Sequence, residues 1–224
     1  MGRAPAPARA PRLVTVPGVY RPQHDSRILM RALCAEPVGP GTDLLDLGTG
    51  SGVLALCAAR LGARVTAVDV SRRAVLCARV NAALAGHRVT VRRHDLSPPG
   101  RAFDVVVSNP PYVPAPGGPP PRHGAARAWD AGHDGRAVLD RVCAAAPKVL
   151  RPGGVLLMVH SGMCGAQTTL RQLADAGLAA RVVARERVPL GPVLHARRSW
   201  LSGRGLLQDG EDTEELVVIR AQRS

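Results

Sequence analysis

Residues 44–56 read LLDLGTGSGVLAL. Gly48, Gly50 and Gly52 stand between a short apolar run and a second one at helical spacing. Lacking a Cβ, glycine lets a strand turn tightly into a helix and lets a ligand approach the backbone. The helix that follows then offers unpaired N–H groups to an anionic group. The spacing is G-x-G-x-G rather than the G-x-G-x-x-G of dinucleotide sites, which disfavours a nicotinamide oxidoreductase. Asp46 precedes the glycines inside the strand, where a purely structural strand rarely places an unpaired carboxylate.

Outward from this stretch the pattern alternates. SGVLALCAARLG (51–62) reads as a helix stopped by Gly62, and RVTAVDV (64–70) as a second strand. SRRAVLCARVNAALAG (71–86) reads as a helix, with Ser71 as N-cap and Gly86 near its end. HRVTVRRHDL (87–96) holds a third strand and FDVVVSN (103–109) a fourth, followed by a Pro/Gly-rich loop from Pro110 to about Gly132. A helix is predicted over 134–150, a turn over 151–154, a fifth strand over 155–161 and a helix over 165–178. Strands over 181–188 and 214–222 complete seven, and upstream 25–36 has helical spacing, with Asp25 or Ser26 able to cap it. Alternating strands and helices imply right-handed crossovers and an α/β fold, a mostly parallel sheet with helices on both faces. Ligands in such sheets bind beyond the carboxyl ends of the strands.

A chain of 224 residues with 46% hydrophobic and 2% aromatic content suits one domain with an aliphatic core. No apolar run is long enough for a membrane span. Residues 1–18, rich in Ala, Pro and Arg, lack the apolar core of a secretory signal and read as a flexible tail before a domain over 19–224. The net charge of +13 is compatible with a nucleic-acid or ribosome-associated partner, but it is scattered and carried by arginines, with Lys148 the one lysine. Cys34, Cys57, Cys77, Cys143 and Cys164 form no C-x-x-C pair, and neither they nor the seven histidines have metal-ligand spacing. Reduced thiols in a cytoplasmic protein are expected, with no metal.

The other strand ends carry the chemistry. AVDVS places Asp69, followed by Val70, where a carboxylate can accept both hydroxyls of a ribose. RHDLS places Asp95, able to accept an amino group of adenine, with Leu96 beside the ring. The glycine loop and these carboxylates together resemble the S-adenosylmethionine pocket of the seven-strand, Rossmann-like class I methyltransferases. That resemblance implies S-adenosyl-L-methionine as cofactor, with Asp46, Gly48, Gly50 and Gly52 at its methionine moiety, Asp69 and Val70 at the ribose, and Asp95 and Leu96 at the adenine.

The fourth strand ends SNPPY, residues 108–112. In related methyltransferases an N-P-P-Y corner marks enzymes acting on an amino or amide nitrogen conjugated to a planar system. Such a lone pair is delocalised and a poor nucleophile. If the Asn109 side-chain oxygen and the Pro110 carbonyl each accept one of its N–H bonds, the nitrogen is fixed for in-line transfer. Tyr112 would pack on the planar group.

With PGVYRPQHDS (17–26) and AWDAGHDGRAVLDR (128–141), the corner resembles the HemK family, which methylates the glutamine amide of the Gly-Gly-Gln motif of release factors. The closest pattern is its short archaeal and eukaryotic branch, without a separate N-terminal helical domain. By that resemblance Tyr20, Asp25 and Asn109 also belong to the cofactor site, and the partner is a release factor or another translation-related protein. Transfer to an exocyclic amine of RNA or DNA is the alternative. Arg21 and His24 stand where that branch has glutamates, Ala131-Gly132 replaces its glycine pair, and 191–213 is longer than its last hairpin. GGPPPRHGAAR (117–127) is either a lid over the substrate or a plain linker.

Overall fold

The computed structural model describes residues 13–96, 100–122 and 124–224. Most of the expected tail, residues 1–12, lies outside that set. In chain order the main elements are α1 (His24–Ala35), β1 (Asp43–Leu47), α2 (Val53–Arg60), β2 (Arg64–Asp69), α3 (Arg72–Leu84), β3 (Val89–Arg93) and β4 (Phe103–Ser108). There follow α4 (Leu139–Val149), β5 (Leu150–Ser161), α5 (Ala166–Asp175), β6 (Leu178–Pro189), α6 (Pro192–Ala196), α7 (Arg198–Gly203) and β7 (Thr213–Arg223). The strands form one seven-stranded sheet in the order β3-β2-β1-β4-β5-β7-β6. β7 runs antiparallel to both neighbours and the other pairings are parallel.

All five residues of β1 are buried, so the sheet is covered on both faces at its centre. The core is aliphatic, with the single phenylalanine, Phe103, fully buried among Leu, Val and Ala. Each fully buried Leu or Val contributes about 1.5–3 kcal/mol by leaving water. At the sheet's edge β6 alternates half-buried with exposed positions, only Leu178 and Val188 being buried, and Arg181, Arg185 and Arg187 discourage pairing with another chain. Asp43 and Asp104, at the amino ends of their strands, are tied by Arg151, and Asp43 also by Arg64.

Parallel register places the site. Leu47 pairs with Val68 on one side and Ser108 on the other, so the glycine loop, Asp69 and Asn109 emerge side by side at the carboxyl edge. Asp69 pairs with Arg93, which puts Asp95 just beyond the same edge. The chain turns outward in opposite directions from β1 and β4, the switch point where such sheets open a crevice.

Several boundaries differ from the sequence reading. The helix expected from residue 134 begins at Leu139, because 134–136 form a turn with Gly135 at φ 73°. The strand expected at 155 begins at Leu150, because Leu150 pairs with Phe103 across a register shift. Neither Asp25 nor Ser26 caps α1; Gln23 precedes the helix without a side-chain cap bond. The cap at Ser71 is present, its hydroxyl accepting Ala74 N–H at 3.3 Å. The 191–213 segment folds into α6 and α7, whose Leu194 and Leu201 join Leu207 in a small separate core. All five cysteines are free, with Cys34 and Cys57 sulfurs 3.8 Å apart between α1 and α2.

Candidate active site

The glycine loop is built from three different requirements. Gly48, Gly50 and Gly52 have φ of 71°, 54° and 88°, in the left-handed region that favours glycine. A Cβ at Gly48 or Gly50 would meet nothing, since both face a cavity. At Gly52 it would lie 3.2 Å from Ala78 Cβ, so this glycine admits α3 rather than a ligand. Asp46 fixes the loop from beneath: its Oδ2 accepts Thr49 Oγ1 at 2.6 Å and Ala55 N–H at 3.1 Å. It is fully buried, its Oδ1 has no partner among the described residues, and burial pushes its carboxyl up to about 7. Asp69 accepts Gly50 N–H at 3.0 Å and Ser71 N–H at 2.8 Å, and burial raises its pKa.

The cavity beside this loop measures about 610 Å³. Gly48, Gly50, Asp69 and Val70 form one wall, Asp95 and Leu96 another. Leu96 is the one non-glycine among the described residues with positive φ, 62°, a strained conformation of the kind that collects at binding sites. Asp95 is exposed and held by Arg141, whose Nη2 lies 2.8 Å from both carboxylate oxygens. The roof comes from the N-terminal segment through Gly18, Val19 and Tyr20. Asn81 of α3 anchors that segment, exchanging 2.8 Å hydrogen bonds with Val14 N–H and C=O while also donating to Ser51 C=O at 2.8 Å. Pro121, Arg122 and Arg127 of the Pro/Gly loop close another side.

The corner after β4 runs between this cavity and a smaller one of about 290 Å³: Pro111 lines the larger and Tyr112 the smaller, Val19 and Tyr20 line both, and Asn109, expected at the cofactor, and Pro110 are in neither lining. Behind the corner, Asp25 is 3% exposed and gathers four hydrogen bonds. Its Oδ2 accepts Tyr20 O–H at 2.7 Å and Tyr112 O–H at 3.1 Å; its Oδ1 accepts Ser26 N–H at 2.5 Å and Ser26 O–H at 3.2 Å. Burial, reinforced by the Asp25 charge, keeps both phenols protonated. The Ser26 oxygen in turn accepts Asn109 Nδ2 at 3.3 Å. The Tyr112 carbonyl accepts Cys164 Sγ at 3.1 Å, and it lies 2.3 Å from where a Cβ on Gly135 would stand. Arg136, 7% exposed, holds Cys164 C=O at 2.5 Å and Gln172 Oε1 at 2.8 Å.

Of the residues singled out in the sequence, Tyr20, Gly48, Gly50, Asp69, Val70, Asp95 and Leu96 converge on the larger cavity. Asp46 and Gly52 support the loop from behind. Asp25, expected at the cofactor, lines the smaller cavity instead and ties α1 to the Asn109–Tyr112 corner. Tyr112, expected to pack on a planar group, is 8% exposed with its hydroxyl turned to Asp25. The sequence reading passed over Asn81, Gly135 and Glu214, and saw Ser26 only as a cap. A D-S pair before an apolar helix and a D-G-R turn are the signals that stood there to be read. Among the described residues no metal-binding cluster forms and no helix is long and apolar enough to cross a membrane.

A seven-strand sheet with an antiparallel β7, a glycine loop after β1 and carboxylates at the ends of β2 and β3 define a class I S-adenosylmethionine-dependent methyltransferase. Residues 11–116 match the methyltransferase small domain. The chain is 33% identical over 176 residues to a putative protein N5-glutamine methyltransferase of Methanocaldococcus jannaschii, covering 77% of this chain and 87% of that one. It is 36% identical over 174 residues to the release factor glutamine methyltransferase of Geobacter sulfurreducens, covering 73% of this chain but 60% of that longer one. Among solved structures, the E. cuniculi Mtq2–Trm112 complex, responsible for methylation of the termination factor eRF1, superposes with a TM-score of 0.65 at 25% identity, covering 92% of this chain and 99% of that one. The chain belongs to the HemK family of protein N5-glutamine methyltransferases.

Proposed function

We propose that this methyltransferase acts on the side-chain amide of a protein glutamine, in a release factor or another translation-related protein. The observation that carries the reading is that the Asn109–Tyr112 corner leads between two adjoining cavities, Pro111 lining the larger and Tyr112 the smaller, with Val19 and Tyr20 common to both. An in-line transfer needs the donor and the acceptor to enter from two sides and meet at one place, and adjoining cavities allow that.

The larger cavity suits S-adenosyl-L-methionine in size, since sites for ligands of this kind measure about 300–1,000 Å³. Its chemistry fits as well: bare glycine backbone at the loop and an unsatisfied carboxylate oxygen on Asp46 directly behind it. Gly48 and Gly50, on a loop that Asp46 braces from beneath, would hold the methionine moiety, Asp69 and Val70 the ribose, Asp95 and Leu96 the adenine, with Tyr20 as roof. When bound, the cofactor supplies an electrophilic methyl on a sulfonium.

The protein's own part is positional. Ser26 takes the Asn109 amide N–H, which directs Asn109 Oδ1 away from α1 as an acceptor. That oxygen and the Pro110 carbonyl accept the two N–H bonds of the substrate amide and hold its nitrogen in line with the methyl. As the bond forms, positive charge grows on nitrogen and both acceptors strengthen, which lowers the barrier. The attached proton becomes acidic, so no strong base is needed. We assign this activity to a domain over 19–224 together with the anchored residues 13–18.

The test is transfer of labelled methyl into an extract of the protein's own cells. Label in a protein band, lost when the glutamine of that protein's Gly-Gly-Gln motif is replaced, is expected. Label that disappears with nuclease but survives protease would move the acceptor to RNA or DNA.

A further inference from the structure

The smaller cavity contains a group that the transfer chemistry does not use. Glu214, at the start of β7, lines it at 9% exposure, and its Oε2 has no hydrogen-bond partner among the described residues. Val113, Trp129, Val188, Val193 and Leu216 make the surrounding wall apolar. Asp25, the other carboxylate there, is already satisfied by Tyr20, Tyr112 and Ser26. The wall of this recess therefore holds one buried carboxylate oxygen without a donor, Glu214 Oε2, in largely apolar surroundings that include Tyr112.

A buried acceptor left without a donor is costly, and native proteins supply one from the chain, from water or from a ligand. The donor that suits this recess is uncharged. Arg21 also lines the cavity and opposes a cationic side chain. Burial pushes the Glu214 carboxyl up to about 7, with the Ser161 hydroxyl opposing and the Asp25 charge adding to the rise, so its negative charge is only weakly maintained. A peptide backbone brings one neutral N–H per residue and little bulk, and about 290 Å³ accommodates a few small residues.

We propose that the smaller cavity is the acceptor-side subsite and that Glu214 Oε2 accepts a main-chain N–H of the substrate next to the methylated glutamine. This rests on the glutamine reading above. It makes Glu214 a residue that selects an extended peptide with a free backbone N–H at that position.

The experiment measures methyl transfer to intact release factor at saturating cofactor. Glu214→Gln keeps an acceptor oxygen and loses the charge; Glu214→Leu removes the acceptor. The expected result is a KM for release factor within about 3-fold of wild type for Glu214→Gln and raised about 10-fold for Glu214→Leu, with kcat and calorimetric cofactor affinity little changed. A second measurement uses the unmodified protein with two Gly-Gly-Gln peptides, one carrying an ester in place of an amide beside the glutamine. The ester peptide is expected to show a KM about 10-fold higher, whether or not Glu214→Leu folds. Equal loss in both Glu214 variants would mean a cationic occupant and overturn the proposal. So would unchanged KM in both, or equal use of amide and ester peptides. A wild-type protein that leaves release factor unlabelled while labelling RNA would overturn the glutamine reading itself, a distinct result.

Discussion

Ser26 Oγ lies 3.3 Å from Asn109 Nδ2 and is itself oriented by Asp25. Ser26 donates its proton to Asp25 Oδ1, so its oxygen is free to accept, and the amide of Asn109 can satisfy it only through Nδ2. A residue in the first helix thus decides which end of a carboxamide at the end of β4 faces outward. Replacing Ser26 by Ala removes that preference. Turnover is expected to fall about 3–10-fold, with cofactor affinity unchanged. Ser26→Thr, which keeps the hydroxyl, restores it, and the effect disappears in an Asn109→Asp background, where both ends of the side chain accept. Steady-state kinetics of the wild type, the two Ser26 variants, Asn109→Asp and the Ser26→Ala, Asn109→Asp double variant checks this.

Asn109→Ala removes one of the two acceptors proposed for the substrate nitrogen. Methyl transfer is expected to fall by about 10²-fold or more. Affinity for S-adenosylmethionine stays within a few-fold, because Asn109 does not line the larger cavity. Equal losses of both would remove the positioning role.

Asp69→Ala tests the cofactor side of the corner. It removes a carboxylate in the wall of the larger cavity and frees Gly50 N–H. Cofactor binding is expected to weaken about 10–100-fold, as for loss of a hydrogen bond to a charged group. Titration calorimetry reads it directly, and an unchanged Kd would take Asp69 out of the pocket.

Gly135→Ala places a Cβ 2.3 Å from the Tyr112 carbonyl on a backbone with φ 73°. Overpacking and left-handed strain together are expected to cost about 2–4 kcal/mol. For a chain of this length that lowers Tm by roughly 5–15 °C. If the corner moves to relieve the clash, transfer falls more steeply than stability does; thermal melts and kinetics on one preparation separate the two.

Asp43 predicts the acid limit of the fold. Hydrogen bonds from Arg64 and Arg151 hold its carboxyl down to about 2, below its ordinary 3.8, despite burial. The folded state therefore binds this proton less readily than the unfolded chain. Its contribution is fully present above about 3.8 and is lost as pH falls through 2. Asp43→Asn is expected to be less stable than wild type at pH 6, with the gap closing towards pH 2. Denaturant melts across that range check the sign.

The parts of this molecule legible in its sequence are those set by local periodicity. Alternating runs give the strands and helices, and the glycine spacing with Asp69 and Asp95 marks the carboxyl edge, because parallel register delivers successive strand ends to one place. What is not legible depends on distant neighbours. Gly135 looks like an ordinary turn glycine until Tyr112 is packed against it. Asp25 looks like a cap until two tyrosines, one five residues away and one eighty-seven, converge on it. The helices of 191–213 are short and obtain their stability from one another and from Arg197, which clasps Pro114 C=O and Asp130 across the Pro/Gly loop.

Asn81 holds the roof and the floor of the larger cavity with one side chain: Val14 on the incoming segment and Ser51 on the glycine loop. The incoming segment and the loop beneath it therefore share one hydrogen-bonding side chain, so neither is placed independently of the other. One asparagine, outside the lining of either cavity, thus ties two separate stretches of chain into a single frame around the larger one.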